Sequence, residues 1–408
     1  MENVENIKPS LSDDVIELEI LPKLPPSSLN RFKLVSRKWY SLITADSYFI
    51  TLSHLHPHSN SLLVIAIPRA NKPTNFGVFF ISRDLSRLVT VDMSYMRDCP
   101  TNCPDSVGKI NHYVECYNGL VCFTDYNKSI VIWNPATRES KHLPQPLPTE
   151  DDHFLLRHIG FTLLSFGFDE GGNDYKLVRV AQPWRKDPTA QVFSLRRNSW
   201  RHVEKGLPHG TVSHSCRVNV NGVLYWMGCR SKETKDYFVL SFDLRSEEFR
   251  EINLPPVCMD YMDDDEYDDR EPDLIKWKDS LGLLVHDDEN CSRYYDRVLW
   301  LMDRDCGPGP ERSWTKLGKV LRKPNGLWFG AIRNDRFVMS RFRSSSCKRV
   351  CNQELYLYEP FSQLETSLPI REREDICAFT QVFDYSESLV SLSLYTGGEE
   401  GDCSRFTH

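Results

Sequence analysis

IWNPATRESKHLP, Ile132–Pro144, is a short apolar strand that ends in an aromatic residue, turns through Asn-Pro and a charged tip, and returns toward Leu-Pro. The same outline recurs as VFSLRRNSWRHVEKGLP (Val192–Pro208), SFDLRSEEFREINLP (Ser241–Pro255) and LYEPFSQLETSLP (Leu357–Pro369), with a drifted tail in LWLMDRDCGPGPERSWTKLGKV (Leu299–Val320). Taking Phe80, Trp133, Phe193, Phe242, Trp300 and Tyr358 as equivalent points gives offsets of 53, 60, 49, 58 and 58 residues. A period of about 50 residues, several short strands per unit and an aromatic in the returning strand fit kelch-like propeller blades. Six such points predict a β-propeller of about six blades.

A second signature lies upstream of these. YNGLVCF (Tyr117–Phe123), VNGVLYW (Val220–Trp226) and PNGLWFG (Pro324–Gly330) set Asn-Gly before a strand, and DSLGLLV (Asp279–Val285) is a weaker copy. Asn-Gly supplies the two positive φ values of a tight turn, so each copy is expected to mark an antiparallel hairpin. The last apolar run, SESLVSLSL (Ser386–Leu394), is expected to pair near the first, SLLVIAI (Ser61–Ile67), and close the ring, since either alone is a hydrophobic edge. Two β-sandwiches in tandem also give many short strands, but they do not explain one dominant period.

Ahead of the strands stands a different texture. In SDDVIELEILPKL, Ser12 can cap a helix opened by Asp13 and Asp14, with Val15, Ile16, Ile20 and Leu24 close to one face. Pro22 to Pro26 end it. Ser27 or Ser28 can cap a second helix carrying Leu29, Phe32 and Val35, and Ser36 a third in which Trp39, Leu42 and Ile43 share a face. A boundary near Pro57 separates this helical head from the β body. A head of about 45 residues is too small to bury its apolar side chains alone, which makes it a docking element.

The chain has 408 residues, 40% of them hydrophobic and 26% charged, enough for a sizeable core and unlike a disordered composition. No apolar run approaches the roughly 20 residues of a membrane span, and the acidic, polar start does not read as a signal peptide, so a cytoplasmic or nuclear location is expected. Thirteen irregularly spaced cysteines read as thiols and not as a disulfide framework. The net charge of −7 is local. DYMDDDEYDDREPD, Asp260–Asp273, holds nine acids against one arginine, and the rest of the chain is about neutral.

Motifs for phosphate cradles, zinc proteases and serine nucleophiles are absent. The pairs Cys99/Cys103 and Cys347/Cys351 fall within loose zinc spacing, but neither has a flanking histidine pair and the two lie far apart in sequence, while Pro57 breaks any helix that would align His54, His56 and His58, so no metal and no cofactor is expected. The basic residues Lys23, Arg31, Lys33, Arg37 and Lys38 are nearly cancelled by Asp13, Asp14, Glu17 and Glu19, which argues against a nucleic-acid arm. The acidic run has two readings: a solvated loop between blades, or a patch with contact tyrosines that steers a basic partner.

The head, LSDDVIELEILPKLPPSSLNRFKLVSRKWYSLI (Leu11–Ile43), resembles the F-box. It departs at Ser12, where the F-box has proline, and in VIELEIL, which has one residue more than the usual spacing; an added residue rotates the first turn by about 100°. YNGLVCF, IVIWNPATRE, FGFDEGGNDYKLVRV, VNGVLYW and SFDLRSEEFREINLP resemble the plant F-box-associated domain, with the S-locus F-box-like proteins nearest. The resemblance implies an F-box over 9–56, a kelch-like propeller over 59–396 and a flexible tail over 397–408. It implies a non-catalytic substrate receptor of a Skp-cullin-F-box (SCF) ubiquitin ligase, in which Leu11, Ile16, Ile20, Leu24, Pro25, Leu29, Val35 and Trp39 bind the Skp-type adaptor, and through it cullin and RING subunits. Asp263, Asp264, Asp265, Tyr267, Asp268 and Asp269 are the candidate contacts to a protein target. Two other functions stay open: a propeller enzyme acting on a sugar-like molecule, and an F-box regulator that delivers no substrate.

Overall fold

The computed structural model describes residues 11–46, 48–49, 60–68, 77–82, 88–91, 113–124, 130–148, 161–182, 188–207, 211–230, 236–255, 272–286, 296–303, 313–322, 326–332, 336–343, 352–360, 362–368 and 376–395. Among the described residues, three short α-helices, α1 (Asp13–Val15), α2 (Pro26–Phe32) and α3 (Arg37–Ala45), precede twenty-four strands. In chain order these are β1 (Asn60–Pro68), β2 (Gly77–Ile81) and β3 (Leu88–Val91); β4 (Tyr113–Tyr117), β5 (Leu120–Thr124), β6 (Ile130–Asn134) and β7 (Glu139–His142); β8 (Phe161–Asp169), β9 (Asp174–Gln182), β10 (Thr189–Ser194) and β11 (Ser199–Val203). There follow β12 (Thr211–Val220), β13 (Val223–Cys229), β14 (Tyr237–Asp243) and β15 (Glu248–Asn253); β16 (Asp273–Trp277), β17 (Ser280–His286), β18 (Asp296–Met302) and β19 (Trp314–Arg322); β20 (Gly326–Ile332), β21 (Arg336–Arg343), β22 (Asn352–Glu359) and β23 (Leu364–Ser367); and β24 (Ile376–Ser386).

They form six four-stranded antiparallel sheets, five of consecutive strands and one in the order β24-β1-β2-β3. The first strands of the sheets, β4, β8, β12, β16, β20 and β24, neighbour one another in a cycle that returns to β4. This is a six-bladed propeller, closed by the C-terminal strand on the N-terminal one through pairs from Asn60↔Ser386 to Pro68↔Ile376. All six aromatic marker residues lie on the third strand of their blade: β2, β6, β10, β14, β18 and β22.

The middle strands read as continuous apolar runs because blades cover both their faces. In β14, Phe238, Leu240 and Phe242 pack toward the preceding blade with Val178, Val192 and Trp226. The alternate residue Val239 packs toward the next blade with Leu281, Leu283 and Val285. Outer strands are wetter: β7 alternates between half-buried and exposed residues, and β15 buries only Phe249 and Ile252. Outer-strand tryptophans add a hydrogen bond to the blade before: Trp200 Nε1 donates to the Pro144 carbonyl at 2.8 Å and Trp314 Nε1 to that of Asn253 at 3.0 Å.

Strand polarity divides the connections between two faces. Turns from first to second strand and from third to fourth strand fall on one face and are mostly tight. Asn118-Gly119 and Asn221-Gly222 carry the paired positive φ expected of Asn-Gly. The third-to-fourth turns 135–138, 195–198, 244–247 and 360–363 each end in a positive-φ residue, Arg138, Asn198, Glu247 and Gln363. The strand ends that flank the remaining connections, including most of the long ones, lie on the opposite face.

Four expectations need correction. The third Asn-Gly copy makes no turn between paired strands, since Gly326 opens β20 and the β20–β21 connection is 333–335. The run Ser386–Leu394 is not the closing strand; β24 is, and the run continues from its end into a 3-10 turn, Leu392–Tyr395. Its apolar residues imitate a strand because they alternate between two cores: Leu389 is buried in the helical head, Val390 and Leu392 between the second and third blades. No serine caps α2, which starts at Pro26 with Pro25 before it, using proline's missing N–H where no partner exists. The extra residue of VIELEIL does not rotate the first turn. Residues Ile16–Ile20 form a π-helical turn in which the Leu21 N–H donates to the Ile16 carbonyl. The wider loop absorbs the insertion, so Ile16 still packs on the head core and Leu21, not Ile20, is buried beside it.

Candidate functional site

The head is built by capping and by a small core. Ser12 Oγ accepts from Val15 N–H at 3.4 Å at the start of α1, and Ser36 Oγ from Trp39 N–H at 3.1 Å at the start of α3. Leu21, Leu29, Ile43 and Phe49 are buried at its centre, with Ile16, Leu24, Phe32, Trp39 and Leu42 half-buried around them and Phe32 edge-on to Trp39 at 5.6 Å. Lys38 of α3 reaches Glu17 at 2.6 Å and Asp13 at 3.2 Å, and these hydrogen bonds raise its pKa. The cancellation of charge expected of the head is thus made by contact for part of it.

Apolar surface is concentrated here. Of the ten exposed large hydrophobic side chains among the described residues, seven belong to the head: Leu11, Leu18, Ile20, Leu34, Val35, Tyr40 and Tyr48. Leu34 is 87% exposed and Val35 61%, in the turn after α2 where no tertiary neighbour covers them. Such clustering on a small module marks a protein-docking surface.

The head sits on the tight-turn face of the ring. Asn30 Nδ2 donates to the Ala136 carbonyl in the β6–β7 turn at 2.7 Å, and Leu389, just past β24, completes the head core. Residues 60–347 match the F-box associated beta propeller domain, and residues 11–51 match the F-box domain. The chain belongs to the F-box-associated propeller family. It is 29% identical over 253 residues to F-box/kelch-repeat protein At3g23880 of Arabidopsis thaliana, covering 59% of this chain and 64% of that one. It is 29% identical over 331 residues to F-box protein At1g47340 of the same plant, covering 77% and 64%. The chain thus spans a little under two thirds of the length of each. Among solved structures it is similar to TolB from Acinetobacter baumannii, at 8% identity and TM-score 0.44 over 83% of this chain and 72% of that one.

On the F-box, the residues expected to meet an adaptor fall into three groups. Leu11, Ile20 and Val35 are exposed; Ile16, Leu24, Pro25 and Trp39 are half-buried; Leu29 is fully buried. Leu29 therefore supports the surface from beneath and presents nothing to a partner, because α2 turns it onto Leu21 and Ile43. Leu18, Leu34 and Tyr40 join the exposed set and went unpredicted. Leu34 carried no sequence signal of its own: it is exposed with Val35 because α2 ends at Phe32.

The acids Asp263, Asp264, Asp265, Asp268 and Asp269, with Tyr267, lie outside the described residues, as do the two cysteine pairs and the histidines at 54, 56 and 58. The flanking strand ends are described: the connection leaves β15 at Asn253 and enters β16 at Asp273, both on the face away from the F-box. Among the described residues no group of three or more metal-ligating side chains comes together, and no helix is long and apolar enough to cross a membrane. Cys116, half-buried on the inner strand β4, has its thiol pKa pushed up by desolvation and then by Asp384 and Glu115, which disfavours a thiolate.

Proposed function

We propose that this chain is the substrate-recognition subunit of an SCF ubiquitin ligase, non-catalytic in itself, acting in the cytoplasm or nucleus. The observation that carries the reading is an F-box with an exposed apolar surface fixed to the tight-turn face of a propeller. The F-box binds a Skp-type adaptor and through it the cullin and RING subunits. The long-loop face, opposite, captures the target protein, and the acidic connection 254–272 meets basic residues on it. The chain's contribution is proximity, holding a target lysine near a charged ubiquitin carrier.

The test uses exposed residues, since Leu29→Asp unfolds the head and tells nothing about contact. Leu34→Asp combined with Val35→Asp abolishes co-purification of the full chain with the adaptor while leaving its melting temperature within about 2 °C of wild type, surface changes being worth about 0.5 kcal/mol or less. Undiminished adaptor binding by this variant sinks the reading.

A further inference from the structure

The junction between F-box and ring contains a strap that neither domain needs for its own secondary structure. Residues 387–395 leave β24 after the ring is closed and run across the tight-turn face. Ser388, Leu389, Ser391 and Leu392 are all 2% exposed or less. Leu389 enters the F-box core beside Leu21, Leu29, Ile43 and Phe49, while Val390 and Leu392 enter the core between the second and third blades. One segment is thus buried in both bodies.

Its polar anchors converge on the β6–β7 hairpin. Asn134, fully buried, donates from Nδ2 to the Ser388 carbonyl at 3.0 Å and the Val390 carbonyl at 2.7 Å. Its Oδ1 accepts from Ala136 N–H at 3.0 Å and Thr137 N–H at 3.4 Å. Two carbonyls on one side and two N–H groups on the other allow only this amide orientation. The turn so capped offers the Ala136 carbonyl to Asn30 of the F-box. At the far end of the hairpin turn, the Glu139 carboxylate accepts from Ser391 Oγ at 3.0 Å and from Leu392 N–H, and its charge faces Lys33 of the F-box, whose pKa burial lowers and Glu139 only partly restores. Lys141 Nζ donates to the Tyr395 carbonyl at 3.2 Å.

Comparison between blades separates the two jobs of Asn134. At the same turn position in the fourth blade stands Asp243, whose Oδ1 accepts from Arg245 N–H at 2.8 Å and Ser246 N–H at 2.9 Å. A carboxylate therefore caps this turn as well as an amide does. Only the strap's two carbonyls require an amide, because a carboxylate cannot donate to them.

We propose that residues 387–395 are a clamp that holds the F-box in one orientation on the propeller, with Asn134 as its positioning residue. In the receptor reading, the clamp sets a constant distance between the adaptor and the captured target; that consequence rests on the reading, whereas the clamp itself does not. Asn134→Asp keeps the turn and turns both strap bonds into repulsions between buried oxygens. A full chain truncated after Ser386 retains ring closure and loses the strap outright. Hydrogen exchange, measured without adaptor, is expected to quicken at least about tenfold in α2 and α3 in both variants, the loss of one or two net hydrogen bonds, while β24–β1 keeps wild-type protection in both and β5–β6 keeps it in Asn134→Asp, which leaves Val390 and Leu392 in the chain. Unchanged protection of α2 and α3 in either variant overturns the proposal. So does joint loss of β5–β6 protection in Asn134→Asp, which makes Asn134 a support of its own blade. Adaptor binding by the wild-type chain, measured separately, decides the receptor reading.

Discussion

Lys176→Met is the most direct test of how neighbouring blades are held together. Lys176 in β9 is 9% exposed, and its ammonium lies 2.8 Å from Asp169 Oδ2, 2.8 Å from Glu247 Oε1 and 2.6 Å from the Leu244 carbonyl. It thus joins the third blade to the turn of the fourth. Removing one partner of a buried ion pair costs about 3–5 kcal/mol, because the other charge is left without compensation. Here the lower end applies: Glu247 also meets Arg201, and Asp169 also accepts from Gly172 N–H at 2.9 Å. We expect a loss of about 3 kcal/mol at pH 7 in denaturant unfolding followed by tryptophan fluorescence. The pH dependence has a definite sign. Burial pushes the Asp169 pKa up, but the hydrogen bonds from Lys176 and Gly172 and the charges of Lys176 and Arg245 outweigh it and hold the carboxyl below 3.8. Stability from that depression is present above the unfolded value near 3.8 and is lost as pH falls through the lower folded one. The gap between wild type and Lys176→Met therefore narrows as pH falls below the ordinary Asp value, to be read in about half-unit steps downward from it. Adding Asp169→Asn to Lys176→Met recovers part of the loss. A neutral-pH loss under about 1 kcal/mol, or a gap independent of pH, refutes the reasoning.

Gly119→Ala places a Cβ 2.3 Å from the Ser386 carbonyl oxygen and 2.6 Å from Ser388 Cβ at a φ of +75°. The expected loss is about 2–3 kcal/mol in the melting transition, against near-neutral behaviour for Lys278→Gly, which relieves a positive φ. Ser36→Ala removes the cap of α3 and costs about 1 kcal/mol, seen as faster hydrogen exchange in Arg37–Ala45 with the propeller unaffected. Replacing the acids of Asp260–Asp273 by Ser and Asn weakens target capture more at low salt than at about 0.5 M, in a pull-down with the target; equal capture at low salt makes the run a solvated loop.

Much of the ring was legible because each blade repeats the same local demands. A returning strand carries a large side chain such as Trp133 or Phe242 that fills the gap to its neighbour, and in four blades the turn after it accepts one left-handed residue. Those demands recur about every 50 residues and are visible without coordinates. Where local pattern served two masters, reading failed. Asn325-Gly326 has the composition of a turn but the position of a strand start. Leu389, Val390 and Leu392 alternate as in a strand while filling two separate cores.

Capping signals at Ser12 and Ser36 and the apolar excess of the head were likewise open to inspection, and they located a docking element. Which of its residues face a partner was not, because helical spacing presumes a regular helix. The π turn at Ile16–Ile20 buried Leu21 in place of Ile20, and the end of α2 at Phe32 freed Leu34 and Val35. The sequence by itself determined the blade period, the helical head and the chemistry of the turns, since these depend on contacts within a few residues. Tertiary structure alone decided which face of the ring carries the F-box and that Asn134, Glu139 and Leu389 join the two bodies. Those choices depend on residues some 250 positions apart, as Asn134 and Ser388 are, meeting only after the ring has closed.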